Sequence, residues 1–333
     1  MSETDRGTIT SREAGGARRW FLLTGRRTAV TVVLLAVVAV PFVAAGLLDL
    51  ATVTTPSRVL WFLNGTVNGL LTLVPISVGV NQIVLSHEFG SIEDLYERRR
   101  AVVEFRERVE RRTETEVSSP RAAEFFRTLL DAVAETGRAF RNEWESDGEV
   151  PDEVEAYVRS VVAEAERTSD ELTEDGDTML KTLLTVLAYD DSVQFYETRR
   201  VRDEFGAELR DETSAKLYRV EELFTEIDAG RQYLKTVVVE RQLARLSRLL
   251  IYTGIPSIAV AAVGIFTYRD VAWLTLSKPV LVGVAAAIVV TSLVPLAVLA
   301  AYILRVATIA RRTAAFGPFV EASKFESDGN ARR

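Results

Sequence analysis

The side chains in this chain with most scope for binding chemistry are uncharged. Within LWFLNGTVNGLLTLVPISVGVNQIVLS, residues 60–86, the residues Asn64, Asn68, Thr72, Pro75, Gly79, Gln82 and Ser86 recur at helical intervals. At about 100° per residue they fall within roughly a quarter-turn of one another. None is ionisable, and unpaired amides in hydrocarbon cost several kcal/mol each, on the order of 2–7. The stripe is therefore expected to face other helices, other subunits or water rather than lipid. Gly65 and Gly69 form a GxxxG pair beside Asn64 and Asn68, so close packing and interhelical hydrogen bonding would share one side of this helix. Gly283 and Ala287 repeat the small-residue spacing later in the chain. Two readings follow. The stripe joins helices within one chain, or copies of the helix surround an axis. In the second case Asn64, Asn68, Thr72 and Gln82 line a neutral polar conduit, their amides and hydroxyls replacing an ion's water, with Val78 or other apolar neighbours at a constriction.

Other chemistries are poorly provided for. The single histidine, His87, and the absence of cysteine remove histidine and thiolate metal clusters and leave one candidate for a histidine-dependent triad. His87 reads as an interfacial histidine. Neither GxxxxGK nor GxGxxG occurs. In the helix-loop-helix calcium motif a glutamate stands six residues after the invariant glycine, but Val154 and Thr182 occupy those places after Gly148 and Gly176. Asp190 and Asp191 read as a helix interruption. The expectation is no catalytic residue, no metal and no cofactor, in a protein that is not an enzyme. Acidic residues outnumber basic ones 47 to 40, which argues against nucleic acid as a partner because phosphate binding needs a basic face.

The elements that must position the stripe are membrane helices. Apolar residues concentrate in two pairs of runs, 28–48 with 60–86 and 249–268 with 280–304, each long enough for the ~20 residues that a bilayer core requires. All four runs lack Asp, Glu, Lys, Arg and His, which disfavours coupled carriers and pumps. Each run contains one proline: Pro41, Pro75, Pro256 and Pro295. Arg18, Arg19, Arg26 and Arg27 precede the first run, Arg98, Arg99 and Arg100 follow the second, and Arg305, Arg311 and Arg312 follow the fourth. The positive-inside rule then puts both termini in the cytoplasm of a multi-pass plasma-membrane protein. Trp61, Tyr268 and Trp273 stand near the expected interfaces.

Between the pairs, residues 87–248 hold 25 basic and 39 acidic residues, a formal charge of −14. Apolar residues there recur at helical intervals: Ile92, Leu95, Val102 and Phe105; Phe125, Phe126, Leu129, Leu130 and Val133; Val154, Val158, Val161 and Val162. Ser91 with Asp94, Ser119 with Pro120, and Pro151 with Asp152 mark helix starts, whereas 145–152 and 173–177 read as turns. A last helix is expected from about Glu212 through Leu217, Val220, Phe224, Ile227, Leu234 and Val238 into the membrane, with either a coiled-coil seam or a bundle face. The acid-rich composition, with five lysines, suits concentrated salt and reads as halophilic.

The order of two spans, a long helical segment and two spans, with VPISVGV at Val74–Val80, resembles the bestrophin anion channels and bestrophin-like membrane proteins. The resemblance rests on Val74, Pro75, Ile76, Ser77 and Gly79 and implies a proline-containing second helix lining the neck of a pentameric pore. Val78 and Val80 replace the aromatic neck residues of animal bestrophins, and no acidic calcium clasp follows the fourth run. RLSRLLIYTGIP, Arg245–Pro256, resembles a junction in uncharacterised membrane proteins of halophilic archaea. The expected architecture is all-α. It has a disordered tail at 1–27, spans at 28–86, a cytoplasmic helical bundle at 87–248, spans at 249–304 and a cytoplasmic tail at 305–333. The expected partners are the lipid bilayer, further copies of the chain and a cytoplasmic protein. The expected function is a passive oligomeric ion channel or, alternatively, a non-enzymatic membrane-anchored sensor or scaffold.

Overall fold

A computed structural model describes residues 16, 20–48, 50, 55–73, 75–76, 79, 82, 91–172, 178–189, 191–274 and 276–314. Ser86, His87, Val78, the turn at 173–177, residues 1–15 and residues 315–333 lie outside the described residues. Regular structure among the described residues is helical throughout. A π-helical turn, Trp20–Thr24, precedes α1 (Arg27–Leu47), α2 (Pro56–Leu71), α3 (Ile92–Thr113), α4 (Ala122–Asp147) and α5 (Asp152–Glu171). There follow α6 (Met179–Val186), α7 (Asp191–Phe205), α8 (Asp211–Trp273) and α9 (Lys278–Ala314). The chain divides into two compact units, one holding α1, α2, α8 from Glu240 and most of α9, the other α3–α7 and α8 up to Val239.

In the first unit, α1, α8 and α9 are long and apolar enough to cross a membrane. The apolar run 60–86 predicts one unbroken helix, but α2 starts earlier, at Pro56, and its regular part ends at Leu71. Proline at the first helical position costs nothing, because that N–H has no intrahelical acceptor in any case. The other end has an equally local cause: Pro75 has no N–H to offer the Leu71 carbonyl four residues back. The Thr72 N–H instead turns to the Gly69 carbonyl at 3.2 Å, and the last turn tightens. Sixteen residues reach only about 24 Å, short of the ~30 Å hydrocarbon core. Pro75, Ile76, Gly79 and Gln82 are helical again. Pro41, Pro256 and Pro295, by contrast, lie inside continuous helices.

Val59 and Leu63 of α2 pack with Ala261 and Tyr268 of α8 and with Leu281, Val282, Ala285 and Val289 of α9. Leu246 and Leu250 meet Val298 and Tyr302 further along. Two glycines make these contacts close. A Cβ on Gly46 would stand 2.9 Å from Val282 Cγ1, and one on Gly264 would stand 2.9 Å from Ile288 Cγ2 and 3.1 Å from Leu63 Cδ1. Lys278 Nζ donates to the Leu47 carbonyl at 3.0 Å, closing the open end of α1.

The second unit is a helical bundle. Its core takes Leu129, Leu130 and Val133 from α4, Val154, Val158 and Val161 from α5, and Leu183 and Val186 from α6. From α8 it takes Leu217, Val220, Phe224, Ile227, Leu234 and Val238. A capping box opens α3: Asp94 N–H donates to Ser91 Oγ at 3.1 Å and Ser91 N–H to Asp94 Oδ2 at 2.9 Å. The helical interval in α3 is misleading at its start, however. Ile92 is 83% exposed and Leu95 48%, while Val109 is fully buried. The join of α3 to α8 is electrostatic as well. Glu226, buried, accepts from Arg108 at 3.3 Å and from Arg112, which also reaches Glu222 at 3.1 Å. Arg219 adds a bond to the Arg112 carbonyl at 2.9 Å and one to Glu114 at 2.8 Å.

Candidate functional site

The two sides of α2 differ in what they touch. Val59, Leu63, Thr66 and Leu70, followed by Leu73, are buried, and the hydroxyl of Thr66 bonds inside its own helix to the Phe62 carbonyl at 2.8 Å. Half a turn away, Asn64, Asn68, Thr72, Pro75 and Gln82 are exposed and Gly79 is half-buried. At about 100° per residue the centres of the two faces lie nearly opposite each other. The residues singled out by type and spacing therefore share a single open face.

That face is wider than the polar stripe. Gly65 is exposed and Gly69 half-buried, and a Cβ on either would meet nothing within 4 Å. Trp61, 81% exposed, lies on the same arc. Gly283 likewise has open space around it, and Ala287 is exposed. Intrachain packing uses Gly46 and Gly264 instead, neither of which belongs to the spacing motifs.

The chemical means of the face are limited and definite. The Thr72 hydroxyl bonds back to the Gly69 carbonyl at 2.6 Å, whereas no hydrogen bond among the described residues uses the Asn64, Asn68 or Gln82 side chain. Each carboxamide can give two hydrogen bonds and accept two. Such groups can pair with identical groups on another helix, or solvate an ion, with no change of protonation. Among the described residues, no group of three or more His, Cys, Asp or Glu side chains is placed to hold a metal.

The second unit holds a cavity that helical periodicity does not reveal. It measures about 340 Å³ and is lined chiefly by Val102, Phe105, Phe125, Phe126, Leu234 and Val237. That size falls at the small end of the ~300–1,000 Å³ range of small-molecule sites. Gly230 keeps it open, since a Cβ there would stand 3.2 Å from the Phe126 ring. Arg106 supplies the charge at its edge, held by Nη2 donating to the carbonyls of Ser118 and Ser119 and lying 5.9 Å from the Phe125 ring centre. Val102 and Phe105 are visible in the sequence as apolar positions of α3. That they line a space rather than fill one depends on α8 presenting a glycine at position 230.

Among the described residues, fold and site define an all-helical architecture that joins a helical bundle to three helices long and apolar enough to cross a membrane. The chain belongs to DUF7972, a family of unknown function, which it matches over residues 2–331. No curated protein and no solved structure matches it.

Proposed function

We propose that this is a four-span membrane protein whose copies assemble with the open face of α2 turned inward, forming a passive conduit for small ions. The stretch 56–86, of which α2 is the regular first part, provides the fourth crossing, and both termini and the bundle lie in the cytoplasm. The observation that carries this reading is the division of α2 into a packed apolar side and an open side bearing Asn64, Asn68 and Gln82. In hydrocarbon each unpaired carboxamide is costly, and other copies of the same stripe would remove the cost. A discontinuous helix with freed carbonyls is tolerated at membrane depth where it lines a water-filled space, and the break at Leu71–Pro75 fits that condition. Protein reconstituted in liposomes should pass ions, and Asn68→Leu should change the flux at least severalfold. Absence of conductance across the full range of salt concentrations refutes the conduit.

A second reading has its own support. The apolar cavity beside Arg106 suits a membrane-anchored sensor whose bundle takes a small ligand or a protein partner. Capture of a stable partner by the full-length protein, lost on Gly230→Leu, favours this reading over the conduit.

A further inference from the structure

Among the described residues, the first unit buries two cations with no carboxylate paired to either. Arg27, the first residue of α1, and Arg305, near the end of α9, are each 7% exposed. Their guanidinium groups converge on a single backbone oxygen: the Gly25 carbonyl accepts from Arg27 Nη2 at 3.0 Å and from Arg305 Nη2 at 2.6 Å. Arg27 Nη1 donates to the Ala301 carbonyl at 2.9 Å. The Nε atoms of both arginines are buried and have no hydrogen-bond partner. Arg245 of α8 is exposed and near enough to Arg305 and to Tyr302 to interact electrostatically with both.

Neutral carbonyl dipoles do not balance this charge. Glu240 and Asp270 are the only carboxylates among the described residues of this unit, and neither pairs with Arg27, Arg245 or Arg305. Removing one charge from water costs several kcal/mol, and removing two like charges side by side costs more. Buried cations of this kind are retained where an anion completes them. All three arginines lie at one end of the apolar stretches of α1, α8 and α9, where a bilayer places its headgroups, and basic pockets between membrane helices on the cytoplasmic side suit anionic headgroups.

We propose that Arg27, Arg245 and Arg305 form a binding site for an anionic phosphate group, carried by a membrane lipid or free in solution. The site rests on the membrane location argued above but not on conduction. A protein that binds the anion and passes no ions keeps this site and loses the conduit. Arg27 and Arg305 form its floor. Arg245, exposed, is the side chain that closes over the phosphate, and its guanidinium fork matches phosphate oxygens two at a time.

The test uses the full chain, delipidated in mild detergent at fixed ionic strength. It is titrated with phosphatidylglycerol, with phosphatidylcholine of the same chain length and with inorganic phosphate, reading affinity by native mass spectrometry and the midpoint of thermal unfolding. Phosphatidylglycerol should bind tighter than phosphatidylcholine and raise the midpoint, and Arg245→Gln should weaken it about fivefold. Inorganic phosphate reproducing the full shift, with the same loss in Arg245→Gln, assigns the site to a soluble anion. Arg305→Lys, which keeps the charge, should retain more of the binding than Arg305→Gln. Equal binding of the two lipids with no response to phosphate, or no effect of Arg245→Gln, overturns the proposal.

Discussion

Two glycines of the first unit should respond in opposite ways to the same substitution. Gly264 of α8 is enclosed: the first carbon of any side chain there stands 2.9 Å from Ile288 and 3.1 Å from Leu63. Leu63 Cδ1 is the end of a flexible side chain, but Ile288 Cγ2 sits on a branched β-carbon that is stiff in a helix, so alanine already requires Ile288 to shift. Leucine adds three further carbons to a filled space, and such overpacking costs about 1–3 kcal/mol. Against this stands the gain of roughly 0.5–1 kcal/mol for replacing a helical glycine. The balance for Gly264→Leu is a net loss on the order of 1 kcal/mol. Gly65 of α2 has nothing within 4 Å, so Gly65→Leu keeps the gain without the strain. The measurement is thermal unfolding of both variants in mild detergent with the particle mass followed by light scattering. Gly264→Leu should lower the midpoint and leave the mass per particle unchanged. Gly65→Leu should leave unfolding of the dissociated chain unchanged or slightly raised while reducing the mass, because its new side chain occupies the face through which we propose that copies meet. A Gly65→Leu chain that unfolds earlier when fully dissociated, or a Gly264→Leu chain as stable as its parent, refutes this division of the two faces.

In the bundle, Glu226→Ala leaves Arg108 and Arg112 without their buried partner. Removing one member of a fully buried pair costs about 3–5 kcal/mol, but these arginines are 42% and 24% exposed and can turn to water. A loss of roughly 1–3 kcal/mol by urea titration is therefore expected, with faster hydrogen exchange along α3. Acid should loosen the two ends of the same helix. Backbone and hydroxyl hydrogen bonds from Ser91 hold the Asp94 carboxyl below the usual carboxylate range, and those from Ser118 do the same for Glu110. Because both are lowered in the folded chain, their stabilisation is fully present above about pH 5 and erodes as pH falls through roughly 4 and below. Corrected for the slowing of intrinsic amide exchange in acid, protection at α3 and the following loop should fall on acidification across that window. In Asp94→Asn with Glu110→Gln the acid response of these segments should be smaller than in the parent.

The apolar seam of α8 was readable in advance because one partner, the bundle core, buries every member from Leu217 to Val238. The same rule misleads at the start of α3, where Ile92 and Leu95 keep the spacing but stay 83% and 48% exposed. Pro75 was visible as a helix perturbation. That it would end α2's regular hydrogen bonding at Leu71 depended on the Thr72 N–H finding the Gly69 carbonyl instead. Small-residue spacing at Gly65 and Gly69 shows only that a close approach is permitted. In the first unit, the glycines that meet another helix, Gly46 and Gly264, belong to no spacing motif, because their partners lie far away in sequence. The arginines before the first apolar run read as a topology signal. The burial of Arg27 is not legible in the sequence, since its Ala301 acceptor lies 274 residues along the chain.

The chain contains no cysteine, so one introduced thiol reports one position without interference. Asn68→Cys, oxidised in native vesicles, should give a disulfide-linked pair of chains, whereas Leu63→Cys, on the buried side of the same helix, should stay single. Cross-linking through position 63 but not 68, or through neither under conditions that link a known oligomer, would contradict the assembly of copies through the open face of α2.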